Sequence, residues 1–564
     1  MSSIQKTLIC CAGRAVLIAA VLAVTPAVAQ AQGIPGSLQP GRVGKDVEPP
    51  KPVPEIKPSE VILPATEAQQ PPANAEATKF VLRDVVVSGN SAISASRLAQ
   101  VWEKDVGKEV SLADIYLYAR AVTDIYQREG YVLSLALVPV QQISEGKVRL
   151  TVVEGYIDEV NAQDVNGNAL PKSTAQLKAT VTAERPLKLA TLERALLLLN
   201  DEPGTSARAY LRRSANAGAT NLVVIVSRSR LSASVSTDNH GTKLLGPARY
   251  DLSVAENGQL GLRERNALAL LGTYDGRLAA WSYTGDAPVG TDGLKAAVSY
   301  SASRARPKDD SGLPDLVLRS STTTFGLSYP IRRSREGDVI VRVNWSVENA
   351  KSEALGLRLH EDKVRPLRAG VTWSGIDDWS GINLADAEIS RGIRGMGASP
   401  VDSPLLTRQD SKIDFTKFTI YLARLQTLGA GWSVLGAFTG QYSRDRLVPL
   451  EQLGLGGEQF LRGFDASELL GDKGFGAKLE LRWAFHLSFT NLTAYAFYDH
   501  GQVWNNDLGG GSTRILASST GIGLRVGPDH SFSGYVELDK PLVRDVEILG
   551  NRNPRMFAGL MFAY

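Results

Sequence analysis

Cysteine is nearly absent from this chain of 564 residues, and its only two examples, Cys10 and Cys11, stand side by side near the N-terminus. Both fall inside residues 1–31, which have the pattern of a secretory signal peptide. We therefore predict a mature protein without cysteine, which excludes disulfide bonds and thiol chemistry.

The signal pattern has three parts in the usual order. Lys6 and Arg14 supply positive charge, the apolar run AVLIAAVLAV follows them, and the small residues of TPAVAQA offer cleavage after Ala29 or Ala31. We predict that residues 1–31 direct the chain out of the cytoplasm and are then removed.

Long hydrophobic runs and an excess of one charge are also missing. Beyond the signal pattern no apolar run reaches ~18 residues, which excludes a transmembrane helix. The 62 basic and 59 acidic residues leave a formal charge of +3 at pH 7. This near balance gives no electrostatic argument for a nucleic-acid partner.

Motifs for catalysis and cofactor binding are missing as well. The chain contains no HExxH, no GxSxG and no GxxxxGK[ST], the patterns of zinc peptidases, serine hydrolases and nucleotide-binding loops. Asp499 and His500 are adjacent, but neighbouring residues of a strand point to opposite faces and cannot easily converge. We therefore predict no enzyme activity, catalytic residue, metal, cofactor or nucleotide.

Proline is frequent in residues 32–78, which include EPPKPVPEIKPSEVILPATEAQQPPANAEA. Repeated X-Pro steps favour extended polyproline conformation over helix. We predict a linker here. Such a segment could thread through or tether other parts of the protein.

Two segments of similar length follow the linker, at 79–154 and 155–229. In the first, a strand pattern is followed by two stretches with helical spacing and by the strand patterns VLSLALVPVQ and KVRLTVVEGYI. Ser111 is a natural N-cap of the second helix and Gly130 is a natural stop. The second segment repeats this β-α-α-β-β order, so we predict two small α+β domains.

Apolar and polar residues alternate from residue 230 to the C-terminus. In DVIVRVNWSVEN, one face carries valines and Trp345, and the other carries Arg342, Asn344 and Glu348. An apolar face with aromatic residues near the strand ends is typical of a membrane β-barrel, which has a polar lumen. A soluble sandwich also alternates, but gives strand-end aromatic residues no special role. The aromatic residues in question are Tyr329, Trp345, Trp373, Trp483, Tyr498 and Tyr564.

We count about sixteen strands in residues 230–564, an even number as in bacterial barrels. The last ten residues, RMFAGLMFAY, present an apolar face that ends at Tyr564. Because lipid offers no partner for an open sheet edge, the last strand is expected to pair with the first. The alternative is a buried final strand of a soluble domain. We predict a membrane β-barrel of about sixteen antiparallel strands, preceded by two small α+β domains.

The alternation stops at about 445–475. This stretch contains GGEQFLRGFDASELLGDKGFG, in which a single arginine, Arg462, lies between a leucine and a glycine. Loops of this length are usually functional or disordered.

The order of signal, linker, two small domains and barrel resembles the two-partner secretion transporters, or TpsB proteins. These are outer-membrane pores that export filamentous haemagglutinins and haemolysins. LSYPIRRS at 327–334 is similar to a short periplasmic turn of that family. LRGF at 461–464 is similar to the signature of its sixth loop, and AFYDHGQVW at 496–504 to a neighbouring strand motif with an aspartate. The resemblance covers essentially the whole mature chain. The family often has an N-terminal plug helix, and on this chain PGSLQPGRVGKDV is the candidate plug segment, although its prolines argue against a helical plug.

The two small domains resemble polypeptide-transport-associated (POTRA) domains. Residues 125–157 are similar to the first POTRA motif of the TpsB family. The matching positions are Tyr126, Gly130, Tyr131, Pro139, Gln141, Gly146, Glu154 and Gly155.

The resemblance also implies how the long loop acts. In the family, loop six folds back into the lumen and its arginine pairs with an aspartate on the barrel wall. On this chain those residues are Arg462 and Asp499, with Gly463 allowing the turn and Phe464 packing the loop tip. The alternation of NLTAYAFYDHG independently points Asp499 inward, away from the face that carries Tyr498.

The function implied is an outer-membrane pore with periplasmic POTRA domains. It would recognise an unfolded secreted partner of the TpsA type and export it to the cell surface, where that partner acts as a toxin or an adhesin. Outer-membrane lipid is the second expected partner. The first alternative is a barrel-assembly factor of the same superfamily, which carries a longer series of periplasmic domains. The second is a diffusion porin, which would not need such domains.

Overall fold

The computed structural model describes residues 35–39, 41–42, 45, 61–62, 69–308, 314–487, 490–507, 511–529 and 531–564. The predicted signal peptide lies outside the described residues, as does more than half of the linker. A short linker strand, β1 (Val61–Ile62), is described. Among the described helices, none has the length and apolar character needed to cross a membrane.

The first small domain is an α+β unit with its own core. Its elements are β2 (Lys79–Val81), β3 (Asp84–Ser88), a helix (Ala95–Ala99), a 3-10 turn (Glu103–Asp105), β4 (Glu109–Ser111), a helix (Leu112–Arg128), β5 (Leu135–Leu137) and β6 (Lys147–Val153). The strands β3, β6 and β5 form a sheet in that order, and β2 pairs with β4. The long helix packs Ile115, Val122 and Tyr126 against this sheet in one buried cluster.

The long helix begins and ends as its sequence predicts. The Ser111 hydroxyl accepts a hydrogen bond from the Asp114 N–H at 3.2 Å, and the Asp114 carboxylate accepts one from the Ser111 N–H at 2.8 Å. This reciprocal pair is a capping box. Gly130 ends the helix with φ +90°, a conformation that favours glycine. The strand predicted over VLSLALVPVQ is wrong beyond β5, where Pro139 has no N–H to donate to a sheet.

The second small domain repeats this plan. Its elements are β7 (Tyr156–Asp164), a helix (Pro171–Val181), a helix (Leu189–Asn200), β8 (Thr205–Arg213) and β9 (Ala219–Arg228). The sheet order is β1-β8-β9-β7, so the linker strand pairs in parallel with β8. Both helices cover one face of the sheet and bury a separate apolar cluster. The predicted β-α-α-β-β order is confirmed for the second domain, whereas the first carries the additional short strands β2 and β4.

The remaining residues form a closed barrel. The strand segments are β10 (Leu231–Asp238), β11 (Arg249–Asn257), β12 (Arg265–Thr273), β13 (Leu278–Pro288), β14 (Lys295–Ala305), β15 (Val317–Arg333), β16 (Gly337–Ala354), β17 (Leu357–Val364), β18 (Pro366–Ile376), β19 (Gly381–Gly392), β20 (Thr416–Gly429), β21 (Trp432–Ser443), β22 (Leu453–Leu455), β23 (Leu469–Gly471), β24 (Lys473–Leu487), β25 (Thr490–Asn506), β26 (Ser512–Asp529), β27 (Phe532–Pro541) and β28 (Arg555–Ala563). Only β22 and β23 lie outside the barrel, where they pair with each other.

The barrel has sixteen strands, as predicted. Arg365 alone separates β17 from β18, and both segments pair with β16, so they are two parts of the eighth strand. The last strand, β28, pairs antiparallel with the first, β10. Tyr564 extends this closure, because its N–H and carbonyl both bond the backbone of Ala233.

The two faces of the barrel wall differ as the alternation predicts. On β24, the apolar side chains of Leu479, Leu481 and Trp483 are exposed on the outside, whereas Glu480 is 1% exposed on the inside. An even strand number brings the start of β10 and the end of β28 to the same rim, which we call the near end. The opposite rim is called the far end.

Ion pairs hold the second small domain at the near end. Arg333, at the end of β15, donates to both carboxylate oxygens of Asp201 at 2.7 and 2.8 Å and to Asp338 at 2.6 Å. Arg263 donates to Glu202 at 3.0 Å. Asp201 and Glu202 follow the helix Leu189–Asn200, so the end of this helix is fixed to the barrel rim.

The far end is covered by loops that enter the barrel. Loop five (393–415) joins β19 to β20, and loop six (444–472) joins β21 to β24. Loop six folds into the lumen, where it meets the N-terminal segment. The N-terminal segment is the described start of the linker (35–39, 41–42 and 45). It includes a 3-10 turn, Gly36–Leu38, and Leu38 is fully buried against the inner wall.

The outward face of β24 offers a test of the lipid-exposed surface. We expect Leu481→Arg to destabilise the barrel by about 2–4 kcal/mol if residue 481 lies near the bilayer midplane, because it places a charge in hydrocarbon. Urea unfolding in lipid vesicles, followed by tryptophan fluorescence, measures this. Thr322→Arg, on the lumen side of β15, is the control and should cost little. Equal losses for the two variants would contradict the assignment of faces.

Candidate functional site

The tip of loop six packs inside the barrel near its middle. Phe460, Leu461 and Phe464 are all at least nine-tenths buried, in a cluster with wall residues such as Val503 and Ala517. Leu461 has φ +59°, so the backbone reverses direction just before Arg462. The turn and the apolar contacts fix the position from which the guanidinium projects.

Arg462 and Asp499 are brought together in the lumen. The Nε and Nη2 groups of Arg462 donate to the two oxygens of Asp499, each at 3.0 Å. The backbone N–H of Arg462 also donates to Asp499, at 3.0 Å. This is a bidentate, charge-assisted pair, and its side chains are only 4% and 0% exposed.

Two further carboxylates share the same guanidinium. Nη1 of Arg462 donates to Glu480 at 2.6 Å and lies 3.4 Å from Glu537. The centre of the guanidinium lies 3.3 Å from the ring centroid of Phe497, which adds a cation–π contact. We call Arg462 with Asp499, Glu480, Glu537 and Phe497 the lumen lock.

Within the lumen lock, Glu480 and Asp499 differ in the number of cations that they contact. Arg482 and Arg525 each donate to Glu480 at 2.7 Å, so Glu480 keeps cationic partners without Arg462. Asp499 has no second cation within ion-pair distance among the described residues. Arg462 is therefore the residue whose removal leaves a fully buried carboxylate without its cation.

Gly463 has a different role from the one predicted. Its φ is not positive, and the turn uses Leu461 instead. A Cβ at Gly463 would lie 3.0 Å from the Cβ of Ser519 and 3.2 Å from the nitrogen of Pro541. The glycine is needed because loop six approaches the barrel wall closely at this point. Its carbonyl accepts a hydrogen bond from Arg555 at 3.1 Å.

Glu480, Glu537 and Phe497 are members of the lumen lock that were not predicted from the sequence, although a signal for them was present. In GAKLELRW and SGYVELDK, the alternation already placed both glutamates on the inward face. Phe497 precedes the predicted lumen aspartate by two positions, and so shares its face. Nothing in the local pattern indicated that these strands meet at one arginine.

The residues of the first POTRA motif build a hydrogen-bonded centre around Glu154. Its carboxylate accepts hydrogen bonds from the Ser91 hydroxyl and from the N–H groups of Ser91 and Ala92 at 2.7 and 2.8 Å. It also accepts one from the hydroxyl of buried Tyr126 at 2.8 Å. Burial alone would raise the pKa of Glu154, but the bonds from Ala92, Ser91 and Tyr126 outweigh burial and lower the pKa below its usual value.

Three further motif residues lie at the junction of the two small domains. The carbonyl of Gly130 accepts a hydrogen bond from the Leu189 N–H at 2.8 Å, and the carbonyl of Gly155 accepts one from the Leu187 N–H at 3.0 Å. The ammonium group of Lys188 lies 5.4 Å from the ring centroid of Tyr131. These residues thus form the joint between the two small domains.

The other three motif residues shape the first domain. The side-chain amide of Gln141 bonds the backbone N–H and carbonyl of Arg149 at 2.7 and 2.8 Å. A Cβ at Gly146 would lie 2.0 Å from the carbonyl oxygen of Val81, so only glycine fits there. Pro139 is partly buried and ends the β5 edge.

Among the described residues, no group of three or more acidic or histidine side chains is arranged to hold a metal.

The barrel, the two small domains at its near end and the loop folded into its lumen define a class of protein: an outer-membrane transporter with periplasmic POTRA domains. Comparison with protein families agrees. Haemolysin secretion/activation protein ShlB/FhaC/HecB matches residues 218–526, and POTRA domain, ShlB-type, matches residues 80–155. The chain belongs to this haemolysin secretion/activation family, whose members are two-partner secretion transporters.

Similar curated proteins are transporters. Heme/hemopexin transporter protein HuxB of Haemophilus influenzae (strain 86-028NP) is 25% identical over 529 residues, which cover 90% of this chain and 92% of that protein. Outer membrane transporter CdiB of Escherichia coli is 24% identical over 472 residues, covering 78% of this chain and 75% of its own.

Solved structures share the fold. CdiB from Escherichia coli has a TM-score of 0.71 at 21% identity, covering 89% of this chain and 94% of its own. CdiB from Acinetobacter baumannii has a TM-score of 0.62 at 16% identity, covering 91% and 95%. As in other members of this transporter family, the barrel lies in the outer membrane, its near end faces the periplasm with the POTRA domains, and its far end faces the cell exterior.

The Glu154 centre predicts a pH-dependent stability. Because the folded pKa of Glu154 is lowered, its charged form stabilises the domain above the unfolded pKa, about 4.3. That contribution is lost as pH falls through the lower folded value. At pH 7 we expect Glu154→Gln to cost about 1–3 kcal/mol, and the difference from the unaltered chain should shrink by pH 3.

Thermal unfolding of a soluble fragment, residues 69–229, measures this stability, since both small domains have their own cores. Glu145→Gln, at a side chain that is 82% exposed, is the matched control and should change little at either pH. A pH-independent loss for Glu154→Gln would contradict the charge-based explanation.

The lumen lock predicts non-additive effects. Arg462→Ala leaves buried Asp499 without its cation, which costs up to about 3–5 kcal/mol, less where lumen water reaches it. The double variant Arg462→Ala/Asp499→Ala removes both charges and should cost less than the sum of the two single changes. Urea unfolding in lipid vesicles measures the three variants, and strict additivity would show that the pair is not coupled.

Proposed function

We propose that this transporter exports an unfolded secreted partner protein of the TpsA type, with the lumen lock holding loop six in the resting pore. The observation that carries the proposal is the buried pairing of Arg462 with Asp499 across the lumen. A charged pair in a polar channel can release and re-form in water, whereas an apolar seal would expose hydrophobic surface each time it opened.

Recognition is proposed to begin at the POTRA domains. The strand β5 is an edge of the first sheet, and a groove lined by Tyr116, Leu117 and Ala136 lies beside it. The side-chain amide of Gln69 bonds the N–H and carbonyl of Val138, just beyond β5, at 2.8 and 3.1 Å. The Gln69 amide thus makes with Val138 the two hydrogen bonds that a peptide group of an added strand would make. This supports binding of an extended client by β-augmentation.

The route into the barrel is proposed to pass between the second POTRA domain and the near end. A cavity of about 490 Å³ lies there, lined by Leu198, Pro330, Ile340 and Leu384 among others. Leu384 also packs in the cluster that contains the tip of loop six. Leu384 thus borders both the cavity and the cluster around the loop tip, which supports a route from the second POTRA domain toward loop six.

The resting pore is proposed to be closed by two segments. Loop six is one, and the N-terminal segment is the second candidate, as the sequence suggested. Arg42 is buried and donates to the carbonyl of Gln452 in loop six at 2.6 Å. Gly36 lies so close to loop six that a Cβ would sit 2.7 Å from the carbonyl oxygen of Glu468. The described part of this segment forms a 3-10 turn, in keeping with its prolines.

Export of this kind needs no nucleotide and no catalytic group in the transporter. The proposed drive is folding of the partner outside the cell, which removes the unfolded chain from the equilibrium. The specific partner, toxin or adhesin, is identified by co-expression with a candidate and assay of the medium.

Arg462→Ala tests the role of the lumen lock in export. We expect the barrel to assemble in the outer membrane but secretion to fall about tenfold or more, since ~1.4 kcal/mol already shifts an equilibrium tenfold. The measurement is the amount of partner in the medium, with heat-modifiable mobility of the barrel as the assembly check. Arg444→Ala, an exposed arginine of the same loop, is the matched control. Normal export by Arg462→Ala would remove the lumen lock from the mechanism.

A further inference from the structure

The base of loop six is held by a second buried carboxylate, Asp472, which is fully buried and does not take part in the lumen lock. Arg408 of loop five donates to both oxygens of Asp472, from Nη1 at 2.6 Å and from Nη2 at 3.2 Å. Nη1 of Arg408 also donates to the carbonyl of Leu447 at 2.6 Å. One guanidinium therefore joins loop five to both limbs of loop six.

The same carboxylate accepts three more hydrogen bonds. They come from the N–H of Leu447 at 2.9 Å, from the side-chain amide of Gln452 at 3.2 Å and from the N–H of Asn506 at 2.7 Å. Asn506 is the last residue of β25, so the barrel wall contributes as well. We call Asp472 with Arg408, Leu447, Gln452 and Asn506 the Asp472 junction.

The N-terminal segment reaches the Asp472 junction through Gln452. The side-chain amide of Gln452 donates to Asp472, while its backbone carbonyl accepts the hydrogen bond from Arg42. The three segments that fill the far end, namely loop five, loop six and the N-terminal segment, thus converge on one carboxylate.

Loop five and loop six also share an apolar layer beside the Asp472 junction. Its buried members are Ala350, Val364, Leu406, Ile413, Phe415, Leu447, Val448 and Leu450. A polypeptide that leaves through the far end has to displace this layer. Arg408 is 16% exposed, so water can hydrate the guanidinium as the two loops separate, and the Asp472 junction can break and re-form.

We infer that the Asp472 junction is a second gate at the extracellular mouth, and that Arg408 must separate from Asp472 before a polypeptide leaves the pore. Arg408 and Asp472 are positioning residues in this scheme, because they hold the two loops rather than touch the client. The inference rests on the proposed export function but not on the lumen lock, since Arg462 pairs with other carboxylates.

Reversible cross-linking tests whether loop five must leave loop six. Lys412 of loop five and Asp445 of loop six form an ion pair at 2.8 Å, in which the Lys412 side chain is 58% exposed and that of Asp445 is 17% exposed. The variant Lys412→Cys/Asp445→Cys keeps Arg408 and Asp472 intact, and a bis-methanethiosulfonate reagent would tie the loops together through disulfides. Both native cysteines lie in the predicted signal, so only the new thiols should react.

We expect the cross-link to abolish partner export and a thiol reductant to restore it. The matched control is Arg394→Cys/Asp414→Cys, an ion pair at 2.7 Å with both residues in loop five, whose cross-link should leave export unchanged. Unchanged export from the cross-linked Lys412→Cys/Asp445→Cys protein overturns the inference. Normal export by Arg462→Ala would count against the lumen lock only.

Conductance of the full-length protein in planar bilayers tests the closed state without a client. Arg408→Ala should raise the fraction of time in the open state by about tenfold, because a bidentate charge-assisted bond is lost. Arg408→Lys keeps the charge but not the forked geometry, so it should raise the open fraction less. An open fraction unchanged in Arg408→Ala would contradict a gate at this position.

Discussion

The structure depends on one constraint: hydrocarbon cannot hydrogen-bond to a peptide group. Every strand of a sheet that crosses a membrane must therefore have two neighbours, and the sheet must close on itself. Here β28 pairs with β10, and Tyr564 continues the pairing to the last residue. A closed ring of sixteen strands encloses a lumen wide enough for water or a plug, and in this structure loop six folds into it.

Ion pairs, in addition to apolar packing, hold loop six and the N-terminal segment inside the barrel. Arg462 and Asp472 each serve as a centre on which several partners converge, one near the middle of the barrel and one at its far end. Buried ion pairs of this kind contribute modestly to net stability, but removing one partner is costly because the other charge stays buried and unpaired. Such pairs are therefore either formed or fully separated and hydrated, and partly separated arrangements are disfavoured. That behaviour suits a pore that must stay shut between clients.

The first POTRA motif is mainly architectural. Glu154 ties the loop at Ser91 to the long helix, and the carbonyls of Gly130 and Gly155 accept hydrogen bonds at the junction of the two small domains. That domain is in turn fixed to the barrel rim through Arg333. The motif residues therefore fix the first small domain, with its edge strand β5, against the second.

The alternation of apolar and polar residues by itself determined the barrel, its strand number and the inward direction of Asp499, Glu480 and Glu537, because a strand has a strict period of two. The family motif singled out Arg462. Only the tertiary structure decided which side chains meet. Glu480 and Glu537 lie 18 and 75 positions from Arg462, and Arg408 lies 64 positions from Asp472. These pairings follow from strand register and loop folding, which link residues far apart in sequence and leave no local pattern.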